Sequence, residues 1–282
     1  MSESEKISPT AYATGYMWYR LGLSHEVLAT PRGKRLDRLF QLLLVALRPI
    51  GGLPFDDLML ARHQGIDSIL TRAIEAGRVG QVIEIAAGLS GRGLRMAKRY
   101  GGRILYLETD LPAMVATKRG LLGKAGLLTE KHAVVELDAL ADSGVRSLAA
   151  VAATLNPNVG TAIITEGLMN YLDPPVARAL WARIARQLQC FPHGLYLSDA
   201  YLRTGNTSLN VRIFRKVLAG FVRGGMHVHF ASNEDGLELM REAGFQQATM
   251  HDPRNLPETC VIAQRPGARR VRILEASLSK GQ

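Results

Sequence analysis

The apolar positions of this chain follow two regimes that change near Gly80. Before it, Leu36, Leu39, Phe40, Leu43, Leu44 and Leu47 recur at three- and four-residue spacing, and a second such run covers Phe55 to Ala76. Both predict amphipathic helices. After it, short Val- and Ile-rich runs alternate with helical patterns, which predicts βα units building a parallel sheet. The predicted strands are Val82 to Ala86, Ile104 to Leu107, Val134 to Leu137, Ala162 to Thr165 and Leu195 to Leu197. Asp173-Pro174-Pro175 reads as an N-cap with proline in the first turn of a helix running to about Leu188. Beyond the fifth strand, Leu209 to Val222 reads as a helix ending at Gly224-Gly225, so 201–232 is expected to be an inserted lid. A helix around Leu237 to Ala243, the run Phe245 to Met250 and a closing strand Thr259 to Ala263 complete the pattern. The expected fold is α/β, a doubly wound Rossmann-like sheet. A helical cap spans 1–80 and a ligand-binding core 81–200. The lid, a C-terminal part of the core over 233–265 with a closing β-hairpin, and a basic tail over 266–282 follow.

Composition narrows the class. The chain has 282 residues, 47% apolar and 21% charged, which is the makeup of a globular protein long enough to bury a sizeable core. The longest apolar run, Phe40 to Leu47, is interrupted by Gln41 and followed by Arg48, far short of the roughly 20 residues that span a bilayer. The start MSESEK is polar and acidic, unlike a secretory signal, and the expected location is cytoplasmic. Cys190 and Cys260 show no metal-ligand spacing and read as buried free thiols. The net charge is +10. Its basic residues are spread along helices (Arg32, Lys34, Arg35, Arg38; Arg92, Arg95, Lys98, Arg99) and gather at Arg265, Arg269, Arg270 and Arg272, without interleaved aromatics. They read as a solvated surface whose field favours a small acidic substrate. Neither a nucleic acid nor a membrane is an expected partner, and a homo-oligomer is left open.

The candidate chemistry begins after the first strand. Ala86, Gly88 and Gly91 occupy the positions of a G/A-x-G-x-x-G fingerprint, where missing side chains let backbone approach a nucleotide at a helix N-terminus. Small residues also serve plain strand-to-helix packing. The second strand ends in Glu108-Thr109-Asp110, where a carboxylate can accept ribose hydroxyls, and Asp138-Ala139 follow the third strand at the place that faces an adenine. These features alone fit an NAD(P)-dependent oxidoreductase as well, or a non-catalytic cofactor- or RNA-binding module. His227 and His229 flank Val228 and would point the same way if extended, as a general base would require. Two histidines without a third ligand make a poor metal site, so no metal is expected. Tyr16, Trp18, Tyr19 and Arg20 read either as a cover over the cofactor or as packing.

After the fourth strand, Thr165-Glu166-Gly167-Leu168-Met169-Asn170-Tyr171-Leu172 resembles the E-G-(L/V)-x-x-Y-L signature of the leucine carboxyl methyltransferase family, which includes the polyketide carboxyl methyltransferases of the tetracenomycin type. Glu84 to Arg92 is similar to the family's G-A-G-x-D-x-R loop, with Ser90 at the usual Asp and Ala86-Ala87-Gly88 at Gly-Ala-Gly. Glu108 to Pro112 with Lys118 is similar to its E-x-D-x-P then K pattern. Ala61-Arg62-His63 with Ile66-Asp67 resembles its arginine-bearing helix, and Ser8-Pro9-Thr10-Ala11 its N-terminal S-x-T-A. The resemblance implies a class I methyltransferase fold and S-adenosyl-L-methionine as cofactor. It also implies O-methylation of a carboxylate or hydroxyl on a polyketide-like or other acidic metabolite. By the same resemblance the methionyl carboxylate pairs with Arg62, the methionyl end passes Gly88, the ribose meets Asp110, the adenine lies by Asp138 and Ala139, and Glu166 lines the methyl-transfer site. Glu84, Ala86 and Leu111 belong to the implied cofactor shell, and Tyr171, His227 and His229 join Glu166 as candidates at the reacting centre.

Overall fold

The computed structural model describes residues 9–46, 49, 54–203, 226–259 and 265–280. Three helices precede the sheet: α1 (Pro9–Arg20), α2 (Pro31–Ala46) and α3 (Phe55–Glu75). One guanidinium ties them together, since Arg20 at the end of α1 donates to Asp37 of α2 at 3.1 Å and to Asp56 of α3 at 2.7 Å. Trp18 of α1 lies on the His63 ring of α3, with centroids 4.4 Å apart. Packing on α3 is therefore the role that the structure gives Trp18.

The sheet contains β1 (Gln81–Ile85), β2 (Leu105–Asp110), β3 (His132–Glu136), β4 (Thr161–Thr165), β5 (His193–Ala200), β6 (Gln247–His251) and β7 (Arg272–Ser279), in the order β3-β2-β1-β4-β5-β7-β6. β1 to β5 run parallel, and β7 is antiparallel to both β5 and β6. The helices between them are α4 (Arg92–Tyr100), α5 (Pro112–Lys124), α6 (Leu148–Ala152), α7 (Pro174–Leu188) and α8 (Asn233–Glu242). Successive strand residues point to opposite faces. Val82, Tyr106, Ala162, Ile164 and Leu197 pack with Ile66, Ile69 and Leu70 of α3, whereas Ile83, Ile85, Leu107, Ile163 and Tyr196 pack with Leu180, Trp181 and Ile184 of α7. Both faces are dry, which explains the continuous apolar runs of the parallel strands. The strand order reverses between β1 and β4, so the loops leaving their carboxyl ends diverge and open a crevice there.

Three expectations are corrected. The residues read as a basic tail contain β7, whose Ile273, Leu274, Ala276 and Leu278 are buried between β5 and β6. The alternation of these apolar residues matches a half-covered strand, but the run of arginines before it masks the signal. Thr259, expected to open the closing strand, belongs to a 3-10 turn, Pro257–Thr259, and residues 260–264 lie outside the described residues. Cys190 is exposed rather than buried. The proposed lid helix Leu209 to Val222 and Gly224-Gly225 also lie outside the described residues. The two flanks of that segment meet: Leu202 bridges Phe230, and the Arg203 N–H donates to the Phe230 carbonyl at 3.0 Å. No helix among the described residues is long and apolar enough to cross a membrane.

Candidate active site

The loop after β1 is shaped by backbone that few residues adopt. Ala86 has φ +54° and Gly88 φ +52°, both in the left-handed region, and for Ala86 that is a strained conformation. Two contacts to β2 over-determine it. The Ala87 N–H donates to the Thr109 carbonyl at 3.0 Å, and the Gly88 N–H donates to Asp110 Oδ2 at 2.8 Å. The other oxygen of Asp110 accepts the Leu111 N–H at 2.8 Å. A carboxylate has about four acceptor positions, so Asp110 retains capacity for two further donors such as ribose hydroxyls. Burial raises its pKa, against the pull of the two N–H groups. Ser90, at the family's usual Asp, accepts the Arg92 N–H with its hydroxyl at 3.2 Å, in the turn that leads into α4.

Arg92 was grouped by sequence with a solvated basic surface, yet it is 0% exposed. Its guanidinium donates at 2.6 Å to each of Asp67, Glu84 and Glu166. Glu84 has its second oxygen taken by the Tyr106 hydroxyl at 2.7 Å, so its carboxylate ties the end of β1 to β2 and to α4. Glu166 accepts Arg62 Nε at 2.8 Å on one oxygen, and Arg92 Nη2 and His63 Nδ1 on the other. Burial would raise the Glu166 pKa. The opposing charges of His63, Arg92 and Arg62 outweigh it and hold the carboxyl well below the usual range. His63 Nδ1 lies 2.8 Å from Glu166 Oε2 and 2.9 Å from Arg92 Nη2, and its Nε2 lies 2.6 Å from Arg95 Nη2. Burial and the Arg92 charge lower the His63 pKa, against the pull of Glu166 and Asp67.

Arg62 lies under the loop after β4. Gly167 has φ +67°, and a Cβ there would stand 3.3 Å from both Nη atoms of Arg62, so glycine serves both the turn and the close approach. Arg62 Nη1 also points to Asp199 Oδ2 and the Tyr201 hydroxyl, each at 3.4 Å. Asp199, at the end of β5, accepts the Gly167 N–H at 2.7 Å and fixes the loop. Sequence reasoning missed Asp199. Its only signal was a carboxylate in the last turn of a buried strand. Tyr171 ends the 3-10 turn Met169–Tyr171, and burial raises its pKa while the Arg62 charge opposes this.

The remaining candidates divide. Asp138 and Ala139 follow β3 at the same edge of the sheet; Asp138 accepts the Leu140 N–H at 3.0 Å, and the Ala139 carbonyl accepts Arg183 at 2.6 Å. His227 and His229 join the β4 loop from its outer side. The His227 N–H donates to the Asn170 carbonyl at 2.8 Å, and its ring nitrogen lies 2.9 Å from Asp173 Oδ1. His229 Nε2 donates to the Met169 carbonyl at 2.8 Å, and its ring meets Trp181 edge-on. These contacts dock the insert's returning end on the loop. Among the described residues no group of three metal-ligating side chains occurs.

A leucine carboxyl methyltransferase family model matches residues 33–185, more than half of the chain. The chain belongs to the leucine carboxyl methyltransferase family. The match includes the Arg62 helix, the Gly88 loop, Asp110, Asp138 and the Glu166 loop, and it stops before Asp199. A protein of Mycolicibacterium gilvum provisionally named as an S-adenosyl-L-methionine-dependent methyltransferase is 36% identical to this family member over 134 residues, or 45% of the chain and 39% of the relative's length. The chain thus spans about two fifths of that curated relative. A crystal structure of a provisionally named methyltransferase from Thermobifida fusca YX superposes with a TM-score of 0.61 at 12% identity, over 99% of this chain and 97% of that one. Human N-acetylserotonin methyltransferase in complex with SAM gives 0.51 at 15% identity, over 95% of this chain and 67% of that one. Both likenesses show that the seven-stranded sheet of this family member has the Rossmann-like class I methyltransferase fold.

Proposed function

We propose that this chain is an S-adenosylmethionine-dependent O-methyltransferase that acts on a carboxylate of a small acidic metabolite, polyketide-like in class. One observation carries the reading. At the carboxyl ends of the adjacent strands β1 and β4, a loop anchored by Asp110 lies beside a loop whose Gly167 covers the Arg62 guanidinium. The donor set fits the cofactor's parts. Asp110 has acceptor positions to spare for the ribose, Asp138 and Ala139 border the adenine, and Arg62 offers a fork to the methionyl carboxylate while Glu166 holds it in place. When bound, the cofactor supplies a methyl already activated on a sulfonium, and the protein contributes alignment and charge placement.

The acceptor follows from what the histidines are doing. A carboxylate with a pKa near 4 is ionised at neutral pH and needs no general base, whereas a phenol with a pKa near 10 needs one. His63 is held between Glu166, Arg92 and Arg95, and His229 donates to a loop carbonyl while His227 lies beside Asp173. An acceptor that arrives ionised suits a site whose histidines are engaged in this way. The net charge of +10 favours the approach of an anion.

The test is methyl transfer from labelled cofactor to a panel of aromatic and polyketide-like acids and their hydroxyl counterparts, followed by mild alkali. An ester releases its label and an ether keeps it. Replacing His227 or His229 singly by alanine should leave the rate within about tenfold. A product stable to alkali, with a loss above about a hundredfold in one of these variants, would move the assignment to hydroxyl methylation.

A further inference from the structure

Helix α2 turns aliphatic side chains to solvent. Leu39, Leu42 and Val45 are 55%, 68% and 49% exposed, although the apolar spacing predicts Leu39 on the packed side. That side is instead formed by Gly33, Asp37 and Leu44. A Cβ on Gly33 would fall 2.4 Å from the Tyr12 carbonyl oxygen of α1, and Phe40 meets Phe55 of α3 edge-on at 4.8 Å. The exposed aliphatic residues share the outward side with Lys34, Arg35 and Arg38, which are exposed as well. At about 100° per residue the six positions span an arc of about 140°. Among the described residues no carboxylate pairs with these three cations, and the one acid of α2, Asp37, is buried and taken by Arg20. Cations near a helix N-terminus oppose its dipole, so helix stability does not account for them.

We propose that α2 is a docking surface for an anionic lipid bilayer. Its two chemistries are ordered along the helix, with cations in the first half and exposed aliphatic side chains in the second. A bilayer surface is ordered in the same way, with phosphates outside and acyl chains beneath. A helix that enters it obliquely sets Lys34, Arg35 and Arg38 against phosphates and Leu39, Leu42 and Val45 among the outer acyl carbons. A second copy of the chain fits less well. Across a two-fold axis its α2 would bring cations against cations or against aliphatic side chains, and both arrangements are unfavourable. Three aliphatic side chains are also a small patch beside the roughly 800 Å² per partner of a stable protein interface, whereas binding to a bilayer accumulates from each cation and each buried methylene. The attachment is peripheral, because no helix among the described residues is long and apolar enough to cross a membrane.

Co-sedimentation of the full chain with vesicles tests this. Binding to phosphatidylcholine vesicles that carry about 30% phosphatidylglycerol should exceed binding to phosphatidylcholine alone by at least about tenfold, and about 0.5 M salt should remove most of the difference. Arg35→Glu/Arg38→Glu and Leu39→Ser/Leu42→Ser should each weaken binding to the mixed vesicles by at least about tenfold. All four positions are exposed, so both variants should keep the wild-type melt. Lys98→Glu/Lys124→Glu, at two exposed positions elsewhere, removes the same charge and should leave binding within about threefold. An equal loss in that control would mean that the net charge of +10, rather than α2, draws the chain to lipid, and it overturns the proposal. Equal binding of the wild type to the two kinds of vesicle overturns it without any variant. So does binding to neither, which would give this face to an acidic protein instead. A dimer in sedimentation velocity that Leu39→Ser/Leu42→Ser dissolves would give it to a second copy, and would equally overturn the lipid assignment.

Discussion

Arg92, the first residue of α4, donates to Glu166, the first residue after β4, across 2.6 Å in the interior of the molecule. The bond joins the β1 loop to the β4 loop, the two sides of the crevice. Asp67 and Glu84 share the same guanidinium, so its loss would leave three buried carboxylates short of a cation.

Arg92→Met should therefore destabilise the fold by about 3–5 kcal/mol, the range for removing one partner of a buried ion pair. Arg99 of the same helix pairs with Glu75 in solvent at 2.8 Å, and its replacement should change stability by less than about 1 kcal/mol. Urea midpoints measure both. Equal effects would mean that burial does not separate the two arginines.

Asp110→Ala should weaken S-adenosylmethionine binding by about 1.5–3 kcal/mol, as expected for hydrogen bonds to a charged group. It also frees the Gly88 N–H, so Asp110→Asn, which can keep one such contact, should lose less. Calorimetry with unchanged affinity in a folded Asp110→Ala protein would remove the ribose assignment.

The network also sets an acid limit. The folded pKa of His63 is lowered by burial and Arg92, so below about pH 6.5 the unfolded chain takes up a proton that the folded chain resists, and stability falls. Asp67 is buried, which would raise its pKa, but Arg92, His63 and Arg95 bring it down to about 2, and Glu166 is likewise depressed. Their contribution is complete above the ordinary carboxylate range near pH 4 and is lost as pH falls toward 2. The urea midpoint should thus decline below pH 6.5 and more steeply below 4.5. A midpoint constant from pH 7 to 4 would contradict the arrangement.

A chain ending at Arg265 should fail to fold, because it lacks the strand that joins β5 to β6. Leu274→Ala, at a fully buried position of β7, should reduce stability by about 2–5 kcal/mol. Far-ultraviolet circular dichroism of the truncated chain is the check. A cooperative native-like melt would show the strand to be dispensable.

The sequence by itself determined the helical cap, the five parallel strands and the loops at their carboxyl ends, because each depends on neighbours a few residues away. Period-two and period-3.6 patterns, small residues after Ile85 and the Asp173-Pro174-Pro175 helix start are local signals. Only the tertiary structure decided which charges meet. Arg62 and Glu166 are 104 residues apart, and Arg92 and Glu166 are 74 apart, so no spacing rule separates the buried Arg92 from the exposed Arg99 two turns further along the same helix. β7 was hidden for the same reason. Whether a short alternating segment near the chain's end becomes a central strand depends on the open edges of β5 and β6 that receive it, and those edges exist only once the sheet has formed.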